Sequence, residues 1–377
     1  MPMIHLFDDG LCPELYPFHL VEGVGEIRFG AFTQTQRWER VEQELIALGW
    51  TGELQVNGRW IPDAGTARQL MASASLDFEG TPLARPSNPD VSSPASTSLD
   101  QPPRLIGHAN DLFVHLGDQV ERDRDWMAKA WQLRPFSAGA HTATYGPEDR
   151  VWMAEDATIR AASLDTTQGD IVIGPGARVE PGSHIEGPVV LCEGAVVRTG
   201  AHIRGATVIG PHCKVGGEVS NVNFQGWANK AHGGFLGNSV IGRWCNLGAG
   251  TQSSNLKNTY GTVRQWSEKQ QSMVDSGLQF CGVLMGDHSK CGIGTTLNTG
   301  TILGPGCVVF DSGFPPKHLP PFSWHDARTG QTEIHDLPRM IATAETVMAR
   351  RGAALTPEAK DNLSALHAEV RASGAAD

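Results

Sequence analysis

The stretch that decides the fold is residues 171–215, which read IVIGPGARVEPGSHIEGPVVLCEGAVVRTGAHIRGATVIGPHCKV. Every sixth residue of this stretch is aliphatic: Ile173, Val179, Ile185, Leu191, Val197, Ile203, Ile209 and Val215. A period of six matches neither the 3.6-residue repeat of an α-helix nor the two-residue alternation of an ordinary strand. It is typical of a hexapeptide-repeat parallel β-helix, in which three short strands form one triangular turn and the aliphatic side chains point inward.

The same period returns later in the chain in new phases. Its members there are Phe235, Ile241 and Leu247, followed by Met285, Cys291, Leu297, Leu303 and Val309. The breaks in phase predict one insertion near residues 216–234 and a longer one near 252–282. Inserted loops on a repeat scaffold usually serve its binding face. Glycine, at 44 of 377 residues, is concentrated between Gly146 and Gly313, where the corners of such a coil require positive φ.

The flanking segments predict two further parts. Residues 1–135 mix apolar runs with amphipathic stretches, as in an α/β domain, and 111–133 has the spacing of a helix. Within this part, residues 82–104 are rich in proline and serine and predict a flexible linker or exposed loop. The β-helix domain is expected over 140–325. Residues 326–377 are expected to form a C-terminal helical segment that caps the open end of the repeat core.

Composition excludes several classes of protein. The formal net charge is −11, from 41 acidic and 30 basic residues, without the Lys/Arg clusters that neutralise phosphates in nucleic-acid binding. No apolar run approaches the ~18–20 residues of a membrane span, and the N-terminus lacks the features of a secretory signal. Seven cysteines without a CxxC motif argue against both a disulfide framework and a zinc ribbon. We expect a soluble cytoplasmic protein that binds small molecules, with no nucleic-acid or membrane partner.

One segment carries candidate chemistry, residues 229–251, which read NKAHGGFLGNSVIGRWCNLGAGT. His232 lies at the first phase break, where the chain must leave the regular coil. An exposed imidazole with a pKa near 6.5 can take a proton from an attacking ammonium or hydroxyl group. Gly233 and Gly234 would allow close backbone approach, and their N–H groups could stabilise an oxyanion. The residues alone leave open a second interpretation, a turn histidine that is hydrogen-bonded to the backbone.

Residues 140–325 resemble the acetyltransferase half of the bifunctional GlmU-type enzymes, which are UDP-N-acetylglucosamine pyrophosphorylases and glucosamine-1-phosphate N-acetyltransferases. The matching residues are Lys230, Ala231, His232, Phe235, Leu236, Gly237, Asn246, Leu247, Gly248, Ala249, Gly250 and Thr251. The resemblance implies that His232 is the catalytic base. It implies that Lys230, Phe235 and Asn246 contact the sugar, and that Ala249, Asn255 and Lys257 bind acetyl-CoA. It also implies a homotrimer with clefts shared between neighbouring protomers.

Over nearly its whole length the chain resembles a GlmU-like group of sugar nucleotidyltransferases. The stretches that show this resemblance are LFDD (6–9), GEIRFGAFT (25–33), KVGGEVSN (214–221), SSNLKN (253–258), GLQFCG (277–282), MGDHSKCGI (285–293), FPP (314–316) and PFSW (321–324). This resemblance implies a mixed fold: a left-handed parallel β-helix with an N-terminal α/β nucleotidyltransferase-like domain and C-terminal helices. It implies a transferase that acetylates an amino-sugar phosphate or a nucleotide sugar for cell-envelope synthesis. Sugar-1-phosphate nucleotidyltransferase activity, with Mg²⁺, would belong to the N-terminal half.

The chain departs from these families in the expected sugar site. Phe235 stands where the acetyltransferases have tyrosine, and Ser220 stands where they have a phosphate-binding lysine. Lys230, Arg198 or Arg204 would have to replace that charge.

The chain also departs from them after its first strand. Pyrophosphorylases have a glycine-rich loop there that cradles the nucleotide phosphates, whereas this chain has Asp8-Asp9-Gly10. We therefore expect a divergent N-terminal domain, in which Asp8 and Asp9 either hold Mg²⁺ or form a turn.

Two other functions stay open at this stage. A metal site of the γ-carbonic-anhydrase kind needs three histidines, two of them close in sequence. The candidates His184, His202, His212, His232 and His288 contain no such pair, so no metal ligand is predicted. A non-catalytic scaffold, or a regulatory protein that binds a sugar nucleotide, is the main alternative, and acetyl-CoA binding would discriminate it. Should His232 fail as the base, His288 is the next candidate.

Overall fold

The computed structural model describes residues 3–87, 96–99, 101–137 and 141–373. Its centre is a parallel β-helix whose strands stack in register from one turn to the next. A small α/β domain precedes the β-helix and two helices follow it. The sequence prediction of a repeat coil is confirmed.

The three faces of the β-helix are named A, B and C here. Face A contains Arg134–Pro135, Val151–Met153, Ile171–Ile173, Val189–Leu191, Thr207–Ile209, Glu218–Phe224, Phe235–Ile241, Val283–Met285, Thr301–Leu303 and His318–Leu319. Face B contains Thr158–Ile159, Arg178–Val179, Val196–Val197, Lys214–Val215, Asn229–Lys230, Asn246–Leu247, Lys290–Cys291, Val308–Phe310, Ser323–Asp326 and Thr332–Ile334. Face C contains Ala143–Tyr145, Ser163–Asp165, His184–Glu186 and His202–Arg204, then the first halves of Glu218–Phe224 and Phe235–Ile241, and finally Gln252–Ser253 and Thr296–Leu297. All pairings between turns are parallel, whereas the end strands Arg134–Pro135 and Thr332–Ile334 pair antiparallel.

The aliphatic column predicted from the six-residue period forms the interior. All eight positions from Ile173 to Val215 are buried in one cluster, together with Met285, Cys291, Leu297, Leu303 and Val309. Phe235 is an exception, because its half-buried side chain points outward and Leu236 takes the interior place beside Val219. That phase was therefore predicted one residue too early.

The two predicted insertions have different outcomes. The 252–282 insertion is confirmed, and it contains the hairpin of Arg264–Ser267 and Ser272–Asp275. The turn near 216–234 is shortened instead. Val197, Val215 and Lys230 lie in register, so the repeat falls from 18 residues to 15. The turn is short because strand Glu218–Phe224 runs from face C directly into face A.

The outer side of face A is apolar and covered. The middle residue of each short strand there, such as Val172, Val190 and Val208, points away from the interior and joins a second buried cluster. The N-terminal part provides the other half of this cluster, chiefly through helices α3 (Asp111–Val114) and α4 (Leu116–Ala130). The helix predicted over 111–133 is confirmed as this pair.

The N-terminal domain is a five-stranded mixed sheet with two helices, α1 (Gln34–Ala47) and α2 (Thr66–Ala72). The sheet order is Ile4–Phe7, Leu54–Asn57, Thr81–Pro86, Leu76–Phe78 and Thr97–Ser98. The first and last pairs are parallel and the two central pairs antiparallel. A hairpin of Arg28–Phe29 and Phe32–Thr33 and two 3₁₀ helices, Cys12–Leu15 and Val24–Glu26, complete it.

Part of the predicted linker belongs to this sheet. Residues 82–86 lie in strand Thr81–Pro86, between Leu54–Asn57 and Leu76–Phe78, so the linker prediction is wrong there. Pro82 and Pro86 stand near the strand ends, where the missing N–H groups are tolerated. The rest of the predicted linker falls partly on residues 88–95 and 100, which lie outside the described residues.

The C-terminal segment begins with strand Thr332–Ile334 and continues as α5 (Leu337–Ala349) and α6 (Pro357–Ser373). The predicted helices and the break between them are confirmed, although the first residues of 326–377 are extended. Met340, Ala359 and Leu363 pack on Phe322 of the last turn and on Val21 of the N-terminal part. The helices thus close the end of the repeat core.

All seven cysteines are unpaired and buried. Within the described ranges, no helix has both the length and the apolar character needed to cross a membrane.

Candidate active site

His232 lies at the corner where face B passes into face C. Strand Asn229–Lys230 ends just before it, and strand Phe235–Ile241 begins three residues after it. The imidazole is exposed and makes no hydrogen bond to another described residue. The structure therefore leaves the ring free, unlike the backbone-bonded turn histidine that the sequence left open.

Two glycines shape the corner beside His232. A Cβ atom at Gly234, where φ is +119°, would overlap the carbonyl oxygen of Thr251, so this position accepts glycine alone. Gly233 faces open space. Among the described residues the N–H groups of Gly233 and Gly234 have no hydrogen-bond acceptor. Neither group is therefore engaged by the described part of the chain.

Lys230 occupies an interior position of the β-helix, in register with Val215. Its side chain is 2% exposed. Its ammonium donates to the carbonyl of Gly216 at 2.9 Å and to the carbonyl of His232 at 2.8 Å. Burial lowers the pKa of Lys230 from 10.5 to about 8. The donors of Lys230 face the inside of the corner and hold the backbone of His232, so the predicted sugar contact by Lys230 is not among the contacts seen here.

The corner of His232 stacks on the next corner of the coil. The Gly250 N–H donates to the Gly233 carbonyl at 3.1 Å, and the strand register places Ala249 beside His232. The following turn repeats this arrangement, since the Gly294 N–H donates to the Ala249 carbonyl at 2.8 Å. Ile293 therefore follows Ala249 in the same corner column, with adjacent turns spaced about 4.8 Å apart.

Phe235 and Asn255 meet on face C next to this corner. A Cβ atom at Gly237 would lie 2.6 Å from the ring of Phe235 and 2.7 Å from Nδ2 of Asn255, so the two side chains converge over that glycine. The Phe235 N–H donates to Oε1 of Gln252 at 2.8 Å. Nδ2 of Asn255 donates to Oδ1 of Asn238 at 2.7 Å. The long insertion thus starts against the strand that follows His232.

Two predicted site residues lie beside the corner rather than in it, and both make contacts within the chain. Asn246 lies on face B, where its Oδ1 accepts from Nδ2 of Asn229 at 3.1 Å. Lys257 lies in the insertion and donates to the carbonyl of Thr262 at 2.8 Å. The structure therefore brings together His232 and Ala249 at the corner, and Phe235 and Asn255 beside it. Asn246 flanks the corner on the opposite face.

The sequence reasoning missed an exposed apolar group at this end of the β-helix. Ile293 is 82% exposed at the corner, and Tyr260, Phe280 and Phe314 also expose much of their side chains. Tyr260 and Phe280 belong to the insertion, where Gln279 donates to the Tyr260 carbonyl. The sequence could have indicated that Ile293 is exposed. It stands two residues after column position Cys291, at a place where other turns carry Thr199 and Ala249.

The cations expected to replace the missing lysine are engaged in ion pairs. Arg198 pairs with Glu180 at 2.7 Å and Arg204 with Glu218 at 2.8 Å, both on the exposed surface. With Lys230 buried, none of the three presents an unpaired charge at the corner of His232.

His288 is excluded as a fallback base. Its side chain is 2% exposed, and burial lowers its pKa to about 3. A substrate cannot reach it. His184 and His202 adjoin each other on face C, with ring centroids 5.6 Å apart, but His212 lies at another corner. Among the described residues no group of three ligating side chains could hold a metal ion.

Asp8 and Asp9 form a turn after the first strand. The Gly10 N–H donates to Asp8 at 2.8 Å and the Leu11 N–H to Asp9 at 3.1 Å. The carboxylate of Asp9 is also held by the guanidinium of Arg59. Burial raises the pKa of Asp9, but hydrogen bonds from Arg59 and Asn57 outweigh it and hold this pKa below 3.8. These residues do not fit a Mg²⁺ site, and a 3₁₀ helix replaces the phosphate-binding loop.

No family model matches the chain, and no curated protein sequence matches it. The solved structures that are similar to it include two acyltransferases. The polysialic acid O-acetyltransferase OatWY has 13% identity and a TM-score of 0.24, covering 53% of this chain and 83% of its own. A mutant of AntD, an N-acyltransferase from Bacillus cereus in complex with dTDP-4-amino-4,6-dideoxyglucose and coenzyme A, has 12% identity and a TM-score of 0.21, covering 48% of this chain and 76% of its own. At such low scores, the description of the fold rests on the strand register of this chain itself.

Proposed function

We propose that this chain is a left-handed β-helix acyltransferase that transfers an acetyl or other acyl group from acetyl-CoA to an amino-sugar phosphate or a nucleotide sugar. The observation that carries this proposal is the exposed imidazole of His232 at a glycine-lined corner, with its backbone held by buried Lys230. The likeness of residues 229–251 to the acetyltransferase motif supports the same assignment.

The proposed chemistry follows from the groups at this corner. The acceptor ammonium first loses one proton to solvent, and His232 takes the second proton from the amine nitrogen as that nitrogen attacks the thioester carbonyl carbon. The N–H groups of Gly233 and Gly234 would donate to the developing oxyanion. As the C–N bond forms and the C–S bond breaks, the coenzyme A thiolate leaves with the proton from the imidazolium. No metal ion or redox cofactor enters this scheme.

Substrate contacts are proposed on both sides of the corner. Phe235 and Asn246 flank His232 on faces C and B and would contact the sugar. Ala249, Asn255 and Lys257 would bind acetyl-CoA, whose pantetheine arm would run along the corner column toward exposed Ile293. A neighbouring protomer in a homotrimer would cover this apolar end and complete the cleft.

A non-catalytic β-helix is the second candidate, and one observation favours it. Lys230, Arg198 and Arg204 are all engaged in contacts within the chain, so a phosphate on the acceptor has no evident unpaired cation at the corner. Nucleotidyltransferase activity is not part of the proposal, since Asp9 is held by Arg59.

Acetyl-CoA binding and thiol release test the proposal. We expect saturable binding of acetyl-CoA by calorimetry, and release of free thiol when a hexosamine 1-phosphate or a UDP-amino sugar is added. Asn255→Ala should weaken acetyl-CoA binding, whereas Asn298→Ala, one turn beyond Asn255 on face C, should not. A wild-type chain that binds no acetyl-CoA would favour the non-catalytic scaffold instead.

A further inference from the structure

A polar cavity lies at a different corner from that of His232, where face A passes into face B. It has a volume of about 320 Å³ and lies between the β-helix and the start of α1. Arg28, Thr35 and Gln36 line it from the N-terminal part, and Gln225 and Arg243 from the β-helix. This volume is at the lower end of the range for small-molecule sites.

Arg28 is the unusual group in this cavity. Its side chain is 4% exposed, yet no carboxylate lies within ion-pair distance of it among the described residues. Its guanidinium donates from Nε to the Gln225 carbonyl at 3.1 Å and from Nη1 to the Ala31 carbonyl. Nη2 makes no hydrogen bond to an oxygen atom in the described ranges, and the guanidinium lies beside the buried thiol of Cys192. Burying a charge without a counter-ion is costly, so this position favours an anion in the cavity.

The arginine is rigidly held in this place. The Arg28 N–H donates to Oε1 of Gln225 at 2.6 Å, and the Arg28 carbonyl accepts from Nε2 of the same Gln225 at 2.9 Å. Asn223 donates to that carbonyl as well, at 2.9 Å. A charged group fixed by the two domains before any ligand arrives is preorganised for binding, because no side-chain entropy is lost on association.

The other groups at the cavity define the ligand further. Arg243 is paired with Glu26 at 2.7 Å, so its charge is balanced, and Glu39 is the other acidic residue of the lining. Thr35 and Gln36 offer hydroxyl and amide groups that suit sugar hydroxyls. Both ring faces of Trp227 are occupied, by His212 at 4.1 Å and by Trp244 at 4.7 Å between ring centroids. A nucleobase therefore has no free ring there on which to stack.

We infer that this cavity binds the phosphate group of a small phosphorylated metabolite through Arg28, at a site separate from the acyl-transfer corner. The planar fork of arginine matches phosphate oxygens, and a monophosphate would neutralise the buried guanidinium. Free phosphate and a sugar phosphate share this chemistry, and the titrations below distinguish them. The inference does not depend on the acyltransferase activity.

Calorimetric titration of the full chain with inorganic phosphate and with glucose 6-phosphate tests the site, at constant ionic strength set by chloride. We expect saturable binding by the wild type. Arg28→Gln should weaken it at least tenfold, as expected for a lost charged hydrogen bond. Arg178→Gln, which removes an exposed arginine from face B, should leave it unchanged. Tighter binding of glucose 6-phosphate would identify a sugar phosphate, and equal binding would identify free phosphate.

Two further variants, Arg243→Gln and His232→Ala, complete the test of the cavity. Should Arg28→Gln fail to fold, Arg243→Gln, in the same lining, is expected to weaken binding at least threefold. His232→Ala should bind as the wild type does. The inference is overturned if the wild type shows no saturable binding of either ligand, or if Arg28→Gln or, in its place, Arg243→Gln binds normally. Binding that disappears in His232→Ala would also overturn it, because the phosphate would then sit at the acyl-transfer corner.

Discussion

Replacing Lys230 with methionine removes one buried ammonium group from the interior of the β-helix. Methionine keeps an unbranched side chain inside the β-helix but loses the hydrogen bonds to the carbonyls of Gly216 and His232. Burial lowers the pKa of Lys230 from 10.5 to about 8, so between these values the unfolded chain binds a proton that the folded chain does not. The free energy of unfolding of the wild type should therefore rise as the pH increases from about 8 to about 10.5.

The size of this change in the free energy of unfolding follows from the lowered pKa of Lys230. A difference of about 2.5 pKa units corresponds to about 3 kcal/mol at 1.36 kcal/mol per unit. Lys230→Met has no such group, so its stability relative to the wild type should fall by about 3 kcal/mol over that pH range. Below about pH 8 the cost of the buried ammonium is fully present, and there the methionine variant compares most favourably.

Chemical denaturation at several pH values measures this difference. Lys214→Met is the matched control, because Lys214 is exposed on the outside of the preceding turn of face B. Its stability difference from the wild type should not change across the same range. The same Lys230→Met protein should keep its acetyl-CoA affinity but lose about tenfold or more in kcat, because displacement of the His232 backbone misaligns the base. A stability difference that is flat with pH, or a wild-type kcat, would refute the reasoning about Lys230.

Three further predictions concern the scaffold. Ile185→Ala, Val197→Ala and Ile203→Ala should each lower the free energy of unfolding by roughly 2–4 kcal/mol in denaturation experiments, because each empties a fully buried column position; losses below about 0.5 kcal/mol at all three would contradict the six-residue column. Gly234→Ala should lower the melting temperature and abolish most of the activity, since a Cβ there overlaps the Thr251 carbonyl. Gly233→Ala should retain the melting temperature of the wild type, because Gly233 faces open space. Equal melting temperatures for both variants would argue against the described corner. Light scattering at micromolar concentration should show a homotrimer, and Ile293→Asp should dissociate it because Ile293 is 82% exposed in one chain; an active wild-type monomer would exclude a shared cleft.

The repeat itself was predictable because one physical requirement repeats along the sequence. Each turn must place an aliphatic side chain in the same column. The positions from Ile173 to Val215 therefore predict the coil from the sequence alone, before any tertiary contact is known. The prediction failed where a turn changes length. Strand Glu218–Phe224 joins two faces without a corner, and from sequence alone the resulting phase break is indistinguishable from an insertion.

The candidate site stays a prediction, and the structure shows where its residues lie. His232 was located by its phase break and its glycines, and the structure leaves its ring exposed. The interior place of Lys230 could not be predicted, because a lysine is rarely found inside a core and only the strand register shows that it lies beside Val215. The cavity around Arg28 could not be predicted at all, because Gln225 and Arg28 are nearly 200 residues apart in the chain.

The most direct test of the central proposal is the turnover of His232→Ala on an acceptor that the wild type acetylates. His202→Ala is the matched control, since His202 is exposed on face C two turns earlier. If His232 removes the acceptor proton, its loss should lower kcat by roughly 10²–10⁴-fold while acetyl-CoA affinity stays within about twofold. The control should keep wild-type kinetics. Wild-type turnover by His232→Ala would contradict the assignment of the base, and with it the proposed reaction at this corner.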